Sequence, residues 1–122
     1  MNPEFAQHFA AEWIAAWNAH DLDRILVLYT DDFAMSSPKI VQIAGDPTGT
    51  LHGKPAVRGY WEMGLQHYPD LKFEPISTLV GVDTITLYYK GYYTSDNIRH
   101  AAEVFHFNAE QKVIRAYAHY AV

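Results

Sequence analysis

Apolar residues at the start of the chain recur at helical spacing. Phe5, Phe9, Trp13 and Trp17 stand four residues apart, which stacks their side chains on one stripe of a helix. The pattern predicts a first helix from Pro3 or Glu4 to Ala19, hinged at Asn18-Ala19-His20. Asp21 suits the N-cap of a second helix, because its carboxylate accepts from the first free N–H groups. Leu22, Ile25, Leu26 and Tyr29 repeat at three and four and give that helix a buried stripe, with Asp31-Asp32 at its end. Phe33 to Ser37 then alternates as a short strand.

The next segment, Ser36 to Lys54, is the longest irregular stretch, with Pro38, Pro47, Gly45, Gly49 and Gly53 in it. Such loops in compact domains are often lids, or else disordered. Ile40, Val41 and Ile43 favour packing over a cavity or another subunit, and Thr50-Leu51-His52 reads as an edge strand. Pro55 suits the first turn of a third helix, whose apolar face is Val57, Tyr60, Trp61, Gly64 and Leu65 and which Pro69-Asp70 closes. The remainder alternates as strands: Leu71 to Val80, Thr84 to Tyr93, Ile98 to Asn108 and Lys112 to Val122. Gly81-Val82-Asp83 links the first two as a tight hairpin. Helices first and a strand meander second indicate an α+β fold in one domain, residues 1–122. A curved antiparallel sheet lined by three helices would hold an interior cavity.

Composition narrows the partners. Aromatics make up 15% of the chain and nine of them are Tyr, which suits pockets and interfaces that are apolar yet need hydrogen bonds. Nine basic residues and a net charge of −5 argue against nucleic acid, which needs a basic face. No Lys/Arg cluster marks a membrane surface. Without cysteine, disulfide and thiolate chemistry are excluded. No apolar run reaches membrane-spanning length and no basic-then-apolar leader opens the chain, which predicts a soluble, cytoplasmic protein.

Glu103 is the sharpest candidate for chemistry. It shares strand parity with Ala101, Phe105 and Phe107, so a carboxylate lies on the more apolar face. Burial there would raise its pKa and let it donate to a developing oxyanion or shuttle a proton. The alternative is a structural Glu paired with a Tyr, Trp or Arg, or one at a pocket rim. The opposite parity carries His100 and His106, and on the last strand Arg115, Tyr117 and His119. That mixed face reads as a dimer interface or a solvent face. Seven histidines show no metal-ligand spacing, and no phosphate loop is present, so neither metal nor cofactor is expected. Trp13, Trp17, Tyr29, Phe33, Met35, Trp61, Tyr89 and Phe105 are read as pocket lining, with Ser37 as a polar residue at the pocket's opening and Ala118 and Tyr120 from the small, apolar set of the last strand.

The run AAWNAHDLDRILVLYTDDFAMSSP, then GKPAVRGYW and the closing VIRAYAHYAV, resembles the SnoaL-like group of the nuclear transport factor 2-like superfamily over essentially the whole chain. The resemblance implies a cone-shaped α+β barrel, with three N-terminal helices packed on a strongly bent, mainly antiparallel sheet. It also implies a deep apolar pocket and dimerisation through the outer sheet face. Members include polyketide cyclases, ketosteroid isomerase, dehydratases, epoxide hydrolases and non-catalytic domains. Against the ketosteroid isomerase pattern, the helix-one Tyr falls on Trp13, the base before a Pro on Ser37, and the later acid on Glu103. The acid is kept one methylene longer, the base is missing and the Tyr donor is an indole, which argues against steroid isomerisation by that mechanism. The resemblance thus implies a small hydrophobic ligand and a cofactor-free isomerase, cyclase or dehydratase with Glu103 as acid/base. The alternatives are a non-catalytic ligand-binding domain or a dimeric interaction module of the same fold.

Overall fold

A computed structural model of the chain describes residues 1–122. The first helix, α1, spans Pro3–Asn18. Asn2 caps it, its side-chain oxygen accepting from the N–H of Glu4 and of Phe5 at 2.7 and 3.4 Å, which satisfies two of the free donors a helix start leaves. The aromatic stripe faces inward as its spacing predicts. Phe9 meets Phe105 and Phe107 edge-on at 4.9 and 5.0 Å, and Trp13 stacks on Phe73 at 5.5 Å. Each fully buried aromatic contributes about 2–3 kcal/mol through burial.

The hinge is fastened by polar groups. His20 takes a left-handed φ of 54°, which turns the chain out of α1, and its Nε2 lies 2.7 Å from the Leu71 carbonyl oxygen. Asn18 binds Phe73 like a strand neighbour: its Nδ2 donates to the carbonyl at 2.9 Å, and its Oδ1 accepts the N–H at 2.7 Å. The end of α1 is thereby locked to the first strand of the meander.

The second helix, α2, is shorter than the periodicity predicts. It spans Leu22–Leu26, capped by Asp21 through the N–H of Arg24, and Tyr29 lies instead at the head of strand β1, Tyr29–Ser36. The last strand explains the difference. It draws this segment into parallel pairing, with the Val113 N–H donating to the Leu28 carbonyl at 3.0 Å and Lys112 Nζ to that of Val27 at 2.9 Å. Asp31 and Asp32 are therefore exposed strand residues and not a helix end.

The segment after β1 is ordered. A π-helical turn, Ile40–Ala44, leads to strand β2, Thr50–His52, and the Ser37 N–H closes the loop onto the Gly49 carbonyl at 2.9 Å. Ile40 is fully buried beneath it while Val41 faces outward. Helix α3 spans Lys54–His67, and its Val57, Tyr60 and Trp61 are buried. Trp61 packs edge-on against Trp17 and Tyr29 at 5.1 and 5.6 Å.

Strands β3 (Lys72–Val80), β4 (Thr84–Thr94), β5 (Asn97–Phe107) and β6 (Val113–Tyr120) complete the meander. The six strands form one sheet in the order β2-β1-β6-β5-β4-β3. Only β1 and β6 run parallel; the other pairs are antiparallel. The expected barrel does not close, since β2 and β3 remain as sheet edges. Register shifts between β1 and β6, β3 and β4, β4 and β5, and β5 and β6 bend the strands, as bulges do. No helix is long and apolar enough to cross a membrane.

Candidate functional site

The helices leave a cavity against the sheet. Its empty space is about 530 Å³, open mouth included, and twelve of its fifteen lining residues are hydrophobic. That makes it an apolar pocket with few polar groups, the usual character of small-molecule sites. Trp17, Trp61, Leu71, Met35 and Tyr89 line it, and so does Ile43 of the π-helical turn. The expectation of a segment packed over a cavity thus holds for Ile43.

Glu103 stands in the middle of β5, opposite Leu87 of β4 and Ala118 of β6. Ala101, Phe105 and Phe107 are buried on the same face, as parity predicts. Glu103 lines the cavity and is only 4% exposed. It accepts from no N–H or O–H of the protein and forms no ion pair, since the four ion pairs of the structure involve Arg24, Lys54 and Arg58. Burial without compensation pushes its carboxyl up from 4.5 to about 8, because the charged form has lost its water and gained no counter-charge.

A ring of phenols surrounds it. Tyr29 and Tyr89 are held well above the usual phenol range, first by burial and then by the nearby Glu103 charge. Tyr60 is pushed up to about 12, burial outweighing the opposing influence of the Ser37 hydroxyl. Tyr93 and Tyr120 are raised as well, again mainly by burial. These phenols stay protonated across the physiological range and remain hydrogen-bond donors. Ser37 favours the ionised forms of Tyr60 and Tyr120, yet no hydrogen bond of good geometry joins them; its clear bond is the 3.1 Å one accepted from the Lys39 N–H.

The indoles divide by partner. Trp13 Nε1 donates to the Tyr29 hydroxyl at 2.9 Å. Trp17 Nε1 is buried and has no acceptor in the protein, a state that costs about 1–3 kcal/mol. The cavity therefore carries one unpaired acid, and the Trp17 N–H is enclosed in the protein without an acceptor. No group of three His, Asp or Glu side chains converges to hold a metal.

Of the residues singled out from sequence, Trp13, Trp17, Met35, Trp61, Tyr89, Glu103 and Tyr120 line the cavity. Tyr29, Phe33 and Phe105 do not. They are buried behind it, Tyr29 as partner of Trp13 and the two Phe rings as core. Ser37 and Ala118 border a separate depression at the end of β1; Ser37 is buried there, and its hydroxyl acts on Tyr60 and Tyr120, which do line the cavity. Sequence reasoning missed Lys39, Tyr60, Gly64, Tyr68, Leu71, Phe73 and Tyr93 as lining residues. Tyr93 was legible, since it shares strand parity with Tyr89. Lys39 was not, because a lysine beside a proline gives no signal of pointing inward.

The comparisons fit this architecture. The family model of the SnoaL-like domain matches residues 10–122. The chain belongs to the SnoaL-like family. A SnoaL-like protein of unknown function from Burkholderia thailandensis E264 is 54% identical over 99% of this chain and 98% of its own, with a TM-score of 0.91. Two more distant structures share the fold. TerC, co-crystallised with polyporic acid, is 10% identical over 95% of this chain and 91% of its own, with a TM-score of 0.78. SalBIII, described as an epoxide hydrolase/cyclase-like enzyme in pyran ring formation in the polyether salinomycin, is 18% identical over 99% of this chain and 94% of its own, with a TM-score of 0.77. A search of curated proteins returns no match.

Proposed function

We propose that the protein is a cofactor-free acid/base enzyme that isomerises, cyclises or dehydrates a small, largely apolar ligand held in the cavity. One observation carries the reading: an unpaired carboxyl group faces an apolar cavity and titrates near 8. A general acid or base works best with a pKa near the working pH. At neutral pH Glu103 is mostly protonated. It can give its proton to a carbonyl oxygen or a departing hydroxyl and, as carboxylate, take one back from carbon, so the enzyme ends as it began. The protonated phenols that line the cavity, Tyr60, Tyr93 and Tyr120 among them, would hold the oxygen on which charge develops. SalBIII, of the same fold, is described as acting in ring formation, which agrees with this class of chemistry.

The test is Glu103→Gln, screened with the wild type against cyclic ketones and polyketide mimics. Turnover is expected to fall at least ~100-fold while ligand affinity holds. Equal turnover in the two proteins refutes the role. A second reading, ligand binding without turnover, is favoured by Ser37, which stands where the related isomerases carry their base; binding across the panel with no product from the wild type would establish it.

The partner we infer is a second copy of the chain, seated on the outer sheet face. Tyr88 and Tyr117 are 38% and 37% exposed there, packed against His100 and His106 at 5.9 and 5.6 Å. Sedimentation equilibrium should give twice the chain mass, and a Tyr117→Glu variant should give one chain mass. A monomeric wild type refutes the interface.

A further inference from the structure

Arg99 precedes Glu103 by four residues on β5 and shares its face of the sheet. Lys39 approaches from the other side, out of the turn after β1. Its ammonium lies over the rings of Tyr93, Tyr120 and Tyr68, at 4.2, 5.0 and 5.5 Å from their centres. The Arg99 guanidinium lies 5.8 Å from the centre of the Tyr120 ring. The two cations thus share one phenol. Both border a small depression, and Lys39 and Tyr120 also line the cavity, so the depression continues into its mouth.

Neither cation has an acidic partner within ion-pair distance. Arg99 makes one long bond, 3.3 Å, to the Ala121 carbonyl. Burial and the neighbouring Arg99 charge both lower the proton affinity of Lys39. Two like charges held together, in a chain with fourteen acidic residues and nine basic ones, are an arrangement that folding alone does not favour. An anion between them would relieve the repulsion and gain two charge-assisted bonds.

We propose that Lys39 and Arg99 form an anion-recognition rim, and that the ligand is an organic acid whose apolar body fills the cavity while its carboxylate rests on this pair. The inference rests on the cavity being the ligand site and adds the ligand's class. Glu103 offers no obstacle, because in its neutral form it does not repel an anion. The phenol faces beneath Lys39 keep the ammonium at the mouth and leave its N–H groups free to donate.

Three probes of matched size decide the matter: phenylacetate, phenylacetamide and phenethylamine, titrated into the isotope-labelled full chain. The indole N–H signals of Trp13, Trp17 and Trp61, all cavity residues, report binding. Phenylacetate should bind about threefold to tenfold tighter than the amide at low salt, with the gap narrowing as salt is added. Phenethylamine should bind weakest. Lys39→Met and Arg99→Gln should each bring the acid down to the level of the amide and leave the amide unchanged, while Lys39→Arg keeps the preference. Equal binding of acid and amide by the wild type overturns the proposal, and tightest binding of the amine assigns the cavity to a cation instead. If none of the three binds, the cavity reading falls and this inference with it. In Glu103→Gln the acid preference should persist even though turnover is lost, which separates failure of the rim from failure of the catalytic role.

Discussion

Replacing Glu103 with Gln should change how stability depends on pH, in a direction fixed by the site. A buried carboxyl that titrates at about 8, against 4.5 in the unfolded chain, holds its proton longer when folded. Between these two values the folded state binds more protons than the unfolded one, so stability falls as pH rises. Below 4.5 both states are protonated and the pH-dependent cost vanishes; above 8 both are ionised and that cost levels off. Integrating the two titrations gives a loss of about 3 kcal/mol by pH 7 and about 5 kcal/mol by pH 9. An amide does not titrate. It leaves a partnerless polar group of similar size, with a penalty of about 1–3 kcal/mol at every pH. The stability of Glu103→Gln minus that of wild type should therefore climb by about 3 kcal/mol from pH 4.5 to pH 7 and flatten above pH 9. The phenols that feel the Glu103 charge titrate above this range, so between pH 4.5 and pH 7 the other titrating groups cancel in the difference. Urea unfolding followed by tryptophan fluorescence at several pH values measures it directly. Parallel profiles for the two proteins would refute the premise that Glu103 is buried without a counter-charge.

Two further substitutions test how the cavity is held. Asn18→Ala removes both bonds to the Phe73 backbone and leaves that peptide partly unpaired; it should cost about 1–3 kcal/mol and raise hydrogen exchange at Phe73 first, whereas an unchanged urea midpoint would show that the hinge is not fastened there. Gly91→Ala would place a Cβ 2.9 Å from a ring carbon of Tyr93, on the strand face they share. The ring must shift, lowering Tm by about 5–10 °C and moving the Tyr93 face away from Lys39; a thermal melt identical to wild type would contradict that close packing.

Much of this protein follows from local chemistry. The stripe from Phe5 to Trp17 specified the inward face of α1, because helical spacing alone puts those rings on one side. The parity of β5 put Glu103 among Ala101, Phe105 and Phe107, because a strand alternates whatever its neighbours are. Asp21 and Pro55 marked two helix starts through the donors that a first turn leaves free. Other features depended on residues distant in sequence. Tyr29 fits a helical stripe and a strand equally well; parallel pairing with β6, more than eighty residues away, decided for the strand and shortened α2. The cavity has the same origin. Its rings come from α1, α3, β3, β4 and β6, so which aromatics bound it and which, like Phe33 and Phe105, only support it depends on how helices and sheet are stacked. The absence of a partner for Glu103 is likewise a property of assembly: the chain carries nine basic residues, and only the packing shows that none reaches it. Lys39 and Arg99, sixty residues apart, become one charged rim for the same reason, since long-range electrostatics are set by where the fold brings side chains together and not by their order along the chain.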